Sequence, residues 1–226
     1  SIVGGGFIGL EFINIFADRK IPAKLHMKEE RFFPSVLDED SSALIREKAE
    51  DDGIAFKTGS TPEALEGLVG VGIGIAPNIA FATEAGVKTN RGVLTNEFLE
   101  TNIADVYSAG DVAEFFDLVA GRQVMVGNWQ NAMQQGRTVG KTMAGQRAAF
   151  ELVSSYATNC RGVEVIFIGD VDRKAADEVI VKGSKAAGGV AQYFVRGGKL
   201  VGATPVNRNA ERALATTTIK NREPYV

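Results

Sequence analysis

Three glycines, at positions 4, 6 and 9, constrain the start of this chain more tightly than any other feature. Ser1, Ile2 and Val3 form a short run, and Gly4-Gly5-Gly6-Phe7-Ile8-Gly9-Leu10-Glu11 follows. Read as strand, turn and helix, the spacing G-x-G-x-x-G has a mechanical meaning. The first glycine permits the tight turn, the second lets a pyrophosphate approach the backbone, and the third lets the helix pack close to the strand. The helix N-terminus then offers N–H groups and a positive dipole end to phosphates. The motif alone describes any glycine-rich turn. The apolar residues before it and the helical pattern after it supply the context of a dinucleotide site. Only three residues precede the turn, against about five or six in a usual strand. No Met opens the sequence, so the numbering is expected to begin inside a longer natural chain.

The pattern continues as a β-α-β unit. Residues 10–19 read as a helix with Leu10, Ile13, Phe16 and Ala17 on one face. Ile21-Pro22 ends it, and residues 23–27 read as the second strand. An acidic residue at the end of that strand usually holds the ribose hydroxyls. Here the end falls on Met27, and Glu29 and Glu30 come late. Lys28 and Arg31 suit a 2′-phosphate; they suit a solvated loop equally well. The reading leans towards NADPH or dual use.

Further along, residues 38–51 read as a helix, 53–57 as a strand and 58–67 as a short polar link. Residues 68–75 are a glycine-spaced apolar strand, ended by Ala76-Pro77-Asn78, with a helical turn at 81–86 and a strand at 92–95. Residues 106–108 are expected to be a strand delivering Ala109-Gly110-Asp111 at its carboxyl end, where open α/β sheets place ligand-binding groups. Residues 128–145 form a long helix. After Phe150 the texture changes to strand-like runs at 163–168, 178–181, 190–195 and 199–203, with a hairpin turn at Arg196-Gly197-Gly198-Lys199 and a closing helix at 209–219. Three segments result: 1–100, 101–150 and 151–226, the last an α+β domain of mainly antiparallel strands.

Composition serves mainly to exclude. A net charge of −3 gives no basic footprint for nucleic acid or a membrane surface. No apolar run is long enough to span a bilayer, no signal peptide is visible, and a cytoplasmic location is expected. The single Cys160 excludes an internal disulfide and a C-x-x-C redox pair, and a buried, inert thiol is expected there. His26, the only histidine, lies in an apolar strand and is read as structural, and no metal site is built around it.

Four stretches in order carry a family resemblance. They are residues 3–11, Gly72-Ile73-Gly74-Ile75-Ala76-Pro77-Asn78, Ala104-Asp105-Val106-Tyr107-Ser108-Ala109-Gly110-Asp111-Val112, and Asn128-Trp129-Gln130-Asn131-Ala132-Met133-Gln134-Gln135-Gly136-Arg137. Together they resemble the FAD-dependent pyridine nucleotide-disulfide oxidoreductases. The nearest branch is the one without a redox disulfide, the rubredoxin, ferredoxin and NADH-oxidase-like reductases. The resemblance departs from the family at two places. The family's N-terminal FAD-binding β-α-β unit has no counterpart here, and residues 58–67 are too short to hold the family's β-meander.

The resemblance implies an α/β fold: a Rossmann-like NAD(P)-binding domain (1–100), a remnant of the FAD domain (101–150) and a C-terminal interface domain (151–226). It implies FAD and NAD(P)H as cofactors, with Gly4, Gly6, Ile8, Gly9 and Gly74 at the nicotinamide coenzyme. Phe7 is placed at the nicotinamide pocket as a bulky lining or gate, or in simple core packing. Glu11 is placed near the carboxamide and flavin, or is a carboxylate in the first helical turn. These two are the candidate catalytic residues. Asp111 is expected to hold the FAD ribityl hydroxyls, with Gly110, Val112, Trp129, Gln130 and Ala132 around the flavin. The implied activity is hydride transfer from NAD(P)H to FAD, with electrons passing to a rubredoxin- or ferredoxin-like protein, a quinone or dioxygen. The expected partners are the missing N-terminal FAD-binding segment, such an acceptor protein and further copies of the chain. Without that segment the chain is expected to hold little FAD and to be inactive alone. The rival readings are a non-catalytic NAD(P)H-binding or regulatory subunit, and a coenzyme A disulfide type of reductase whose cysteine lies in missing sequence.

Overall fold

The computed structural model describes residues 1–225. Contacts divide them into two compact units. One gathers Ser1–Gly74, Ala157–Thr218 and the residues from Glu223; the other gathers Ile75–Tyr156 and Ile219–Arg222.

The first unit opens with β1 (Ile2–Val3), α1 (Phe7–Asp18), β2 (Ala23–His26), α2 (Glu39–Asp51), β3 (Ile54–Lys57) and β4 (Gly70–Val71). The four strands pair in parallel in the order β3-β2-β1-β4. That is the spatial order of a dinucleotide-binding half-sheet. Helix α1 buries Leu10, Ile13 and Phe16 with Gly9, while Ala17 is only half-buried. Each of those larger side chains contributes about 1.5–3 kcal/mol by leaving water. Helix α2 starts where Asp38 caps it, its carboxylate accepting from the Ser41 N–H at 2.9 Å.

Two expectations for this half need correction. Helix α1 begins at Phe7 rather than Leu10, because extended Gly6 already accepts from the Leu10 N–H at 3.1 Å. Glu11 therefore lies in the second turn, and the first turn holds no acidic residue. The strand expected over 68–75 is only two residues long, since β1 offers just Ile2 and Val3 for pairing. Gly74, at φ +95°, then turns the chain, and Ile73 stays exposed. The link at 58–67 contains no strand.

The second unit holds α3 (Ala80–Glu84), β5 (Val93–Thr95), β6 (Ala113–Asp117), β7 (Arg122–Val124) and α4 (Trp129–Met143). Strand β6 lies between β5, in parallel, and β7, antiparallel. Leu99, Phe115, Val139 and Phe150 form its main core, with Phe115 and Phe150 edge to face at 5.3 Å. The Arg147 guanidinium clasps both oxygens of Glu100, at 2.7 and 2.9 Å, and lies over the Phe98 ring.

The strand expected at 106–108 does not form, because a strand needs ladder partners. Residues 106–108 make one isolated bridge, Tyr107 to Glu100, flanked by the Thr101 N–H bond to the Val106 carbonyl at 2.9 Å and the Ser108 N–H bond to the Leu99 carbonyl at 3.1 Å, and it extends into no ladder. Asp105, at φ 62°, bends the chain before it. Asp111 thus precedes β6 instead of ending a strand. Strands β6 and β7 went unpredicted. Their signal is local: the Asp117 carboxylate accepts from the Val119 and Ala120 N–H groups and its carbonyl from Gly121, closing a tight turn.

The C-terminal sheet comprises β8 (Ser155–Cys160), β9 (Val163–Gly169), β10 (Glu178–Ser184), β11 (Gly189–Arg196) and β12 (Lys199–Val206), in the order β10-β11-β12-β9-β8. Helix α5 (Glu211–Asn221) follows. The expected runs at 163–168, 178–181, 190–195 and 199–203 all fall within strands. The expected hairpin at 196–199 has Gly197 and Gly198 at positive φ, as a two-residue turn requires. Strand β8 was missed, since Ser155-Tyr156-Ala157-Thr158-Asn159 lacks a strong apolar alternation. Strands β9 and β11 pack against α2, and Arg161 pairs with both Asp18 and Asp52. Cys160 is fully buried as expected, and burial pushes its thiol up to about 12.

Candidate functional site

The first unit carries a cleft of about 730 Å³ at the carboxyl ends of its parallel strands. That size falls within the range of small-molecule and cofactor sites. The glycine turn forms its floor, and each glycine has a different job. Gly4 sits at φ +103°, and a Cβ there would lie 2.2 Å from the Gly72 carbonyl oxygen. A Cβ on Gly9 would lie 1.9 Å from the Gly4 carbonyl oxygen. These two glycines are demanded by the packing of turn, helix and β4. A Cβ on Gly6 would meet nothing within 4 Å, although Gly6 lines the cleft. The protein leaves that volume open.

The cleft wall brings together Lys28, Glu29, Arg31 and Phe33 from the loop after β2, and Ser60, Thr61 and Pro62 from the link after β3. Gly72, Ile73 and Gly74 complete the rim. Met27 is buried beneath the turn, its sulfur 2.5 Å from a Cβ position on Gly5. Glu30 is turned towards Thr58, whose hydroxyl donates to it at 3.1 Å. Arg31 is 3.9 Å from Glu39, a loose and exposed pair.

Three cleft residues carry buried polar atoms without a hydrogen-bond partner among the described residues: His26 Nδ1, Arg31 Nε and Ser60 Oγ. Buried polar atoms are normally paired. Burial, with Lys24 and Lys57 adding to it, holds the His26 imidazole below its usual pKa. The residues present fit a nicotinamide dinucleotide, with an open backbone approach at Gly6, a helix N-terminus beside it and two cations at the rim.

The other predicted residues lie elsewhere. Phe7, Ile8, Gly9 and Glu11 sit on α1, outside this lining. Phe7 is 36% exposed and its ring packs on Phe33 at 5.0 Å and Phe167 at 5.2 Å. Ile8 lies against Gly72, where a Cβ would meet the Ile8 Cβ at 2.8 Å. Glu11 is exposed.

In the second unit Gly110 and Asp111 lie next to the start of α4, whereas Val112 packs against the cluster of Ala82, Val87 and Val93. The Gly110 N–H donates to Gln135 Oε1 at 2.6 Å, and a Cβ on Gly110 would lie 3.8 Å from the Ala132 Cβ. The exposed Asp111 carboxylate is 3.6 Å from a Cβ position on Gly127. Asn128 caps α4 by accepting from the Asn131 N–H at 2.9 Å. Trp129 is 79% exposed, and Gln130 is exposed beside it. An exposed carboxylate beside a helix N-terminus fits the hydroxyl-bearing chain of a flavin.

Residues 1–136 match the model of the pyridine nucleotide-disulphide oxidoreductase family. The chain belongs to this family. Among its relatives is the NADH-rubredoxin oxidoreductase of Clostridium acetobutylicum, 29% identical over 184 residues, covering 79% of this chain and 47% of that protein. Putidaredoxin reductase of Pseudomonas putida is 24% identical over 99% of this chain and 57% of its own. This member of the pyridine nucleotide-disulphide oxidoreductase family thus spans about half the length of these relatives. Its fold matches putidaredoxin reductase in a covalent complex with putidaredoxin, with a TM-score of 0.89 at 23% identity over 99% of this chain and 58% of that one. It also matches a ferredoxin reductase from Rhodopseudomonas palustris, with a TM-score of 0.87 at 24% identity over the whole of this chain and 60% of that one.

His26, Phe33, Ser60 and Thr61 escaped the sequence reading as cleft residues. Phe33, Ser60 and Thr61 follow the carboxyl ends of β2 and β3, and that position was the available signal. No helix of the described residues is long and apolar enough to cross a membrane, and no cluster suited to a metal occurs among them.

Proposed function

We propose that this chain is the NAD(P)H-binding part of a flavoprotein oxidoreductase. The observation that carries the reading is the open volume over Gly6, in a turn whose other two motif glycines are fixed by contact with the protein itself. Gly4, Gly6 and the N-terminus of α1 take the pyrophosphate. Lys28 and Arg31 take a 2′-phosphate, which favours NADPH or use of both coenzymes. Gly74 closes the rim of the cleft. In the second unit Asp111 accepts hydrogen bonds from ribityl hydroxyls, with Gly110, Val112, Trp129, Gln130 and Ala132 around the flavin. Phe7 and Glu11 serve the nicotinamide end.

NAD(P)H and FAD, when bound, supply the hydride chemistry; the protein binds, orients and shields them. The resemblance to rubredoxin and ferredoxin reductases supports a small iron–sulfur or rubredoxin-like protein as the electron acceptor. Anaerobic addition of NAD(P)H to the FAD-loaded protein that carries this segment tests the reading. Bleaching of the flavin band is expected. Coenzyme binding without flavin reduction would favour the rival reading, a regulatory NAD(P)H-binding module.

A further inference from the structure

The loop that carries Lys28, Arg31 and Phe33 into the cleft is held from outside its own sheet. Phe33 has a left-handed backbone, φ 47°. Such strain in a non-glycine residue persists only where the surroundings over-determine it. Part of that determination is local: the Val36 and Leu37 N–H groups both donate to the Phe33 carbonyl, at 2.9 and 2.8 Å. The rest comes from the Phe7 ring of α1, 5.0 Å away, and from the C-terminal sheet. The Phe167 ring of β9 meets Phe33 at 5.5 Å. Arg173, just after β9, donates from its backbone N–H to the Ser35 carbonyl at 3.3 Å and from Nε to the Val36 carbonyl at 3.2 Å.

The aim of Arg173 is itself fixed. Its Nη2 donates to Gln192 Oε1, and Gln192 Nε2 donates to Thr204 Oγ1 at 3.0 Å. Gln192 on β11 and Thr204 on β12 are fully buried. Because Thr204 takes the amide nitrogen and Arg173 the amide oxygen, the Gln192 amide is locked in one orientation. Satisfied buried networks of this kind specify a single geometry.

We infer that the C-terminal sheet is part of the coenzyme-binding apparatus. Arg173, seated on Gln192 and Thr204, is a positioning residue that fixes the turn at 33–36 and holds the Phe33 ring at the cleft. This rests on the cleft being the nicotinamide coenzyme site.

The test measures NADPH and NADH dissociation constants by calorimetry for the parent chain, Arg173→Met, Phe33→Ala and the double variant. Amide exchange at Val36 and Leu37 is followed in parallel. Each single change is expected to weaken binding about tenfold. In the Phe33→Ala background, Arg173→Met should add less than about threefold, since the two act as one unit. Arg173→Lys, which keeps a donor, should fall between parent and Arg173→Met. Exchange at Val36 and Leu37 should quicken while the amides of β1 and β2 stay protected. Should Arg173→Met not fold, Thr204→Val loosens the same chain from its far end and is expected to shift both readouts in the same direction. Faster exchange with an unchanged dissociation constant would make Arg173 merely structural and overturn the inference. So would full additivity with Phe33→Ala. A parent that binds neither coenzyme would overturn the reading of the cleft and this inference together, and that result is distinct from the other two.

Discussion

The carbonyl oxygen of Gly4 lies 1.9 Å from where a Cβ on Gly9 would stand. Helix α1 therefore touches the turn that launches it, and the third motif glycine is a packing requirement. Gly9→Ala forces backbone apart, and overpacking of this kind costs about 1–3 kcal/mol. Gly6→Ala adds a methyl into open space at an ordinary φ of −90°. Chemical denaturation should show Gly9→Ala clearly destabilised and Gly6→Ala close to the parent. Equal losses would mean that the glycines do not divide in this way.

In the proposed function, coenzyme choice rests on the loop after β2. Met27 is buried and offers no carboxylate, Glu30 is engaged by Thr58, and Lys28, Glu29 and Arg31 line the cleft, two cations against one carboxylate. Lys28→Glu should lower the preference for NADPH over NADH, because it removes attraction for the 2′-phosphate and adds repulsion. The ratio of the two dissociation constants, measured at fixed ionic strength, checks this. An unmoved ratio would make Lys28 a solvated loop charge.

In the second unit, hydrogen bonds from Arg147 first and Asn96 second hold the Glu100 carboxyl down at about 2, against an ordinary 4.5. A depressed carboxyl contributes stability that is present above its unfolded pKa and lost as pH falls through its folded one. The window here runs from 4.5 down to about 2. Both partners are partly exposed, so the effect is modest and weakened by salt. The melting temperature of Glu100→Gln should lie below the parent's by a constant gap at neutral pH. That gap should close across the window, and a gap that persists to its lower end would contradict the pairing.

Cys160 is buried and its thiol is pushed up to about 12 by that burial. The thiolate is the reactive form. A thiol reagent at about pH 8 should leave the native chain unmodified and label it fully once it is unfolded in urea. Rapid native labelling would show that β8 opens.

Much of this architecture was legible because its signals are local. The glycine spacing at 4, 6 and 9 and the Gly197-Gly198 turn each impose a backbone geometry without help from distant residues. What depends on pairing was not legible. Val106, Tyr107 and Ser108 have strand character but lack a ladder, and Ile73 lies beyond the reach of the two-residue β1. The site was legible in the same proportion. Gly4, Gly6, Lys28, Arg31 and Gly74 do meet at one cleft, and they lie in or beside a motif with a fixed geometry. Ser60, Thr61 and Phe33 join them only because parallel pairing brings the ends of β1, β2 and β3 to one edge. Arg173 reaches the loop after β2 from a position 137 residues away from its acceptor Val36, and no local pattern encodes that distance.

The central claim is that the volume over Gly6 is kept open for a coenzyme pyrophosphate. Calorimetric titration of NADPH and NADH into the parent chain and into Gly6→Val tests it most directly, with circular dichroism to confirm that both are folded. Saturable binding to the parent, lost or weakened by about tenfold or more in a folded Gly6→Val, is the predicted result. Equal affinity in the two proteins, or no binding to the parent, would contradict it.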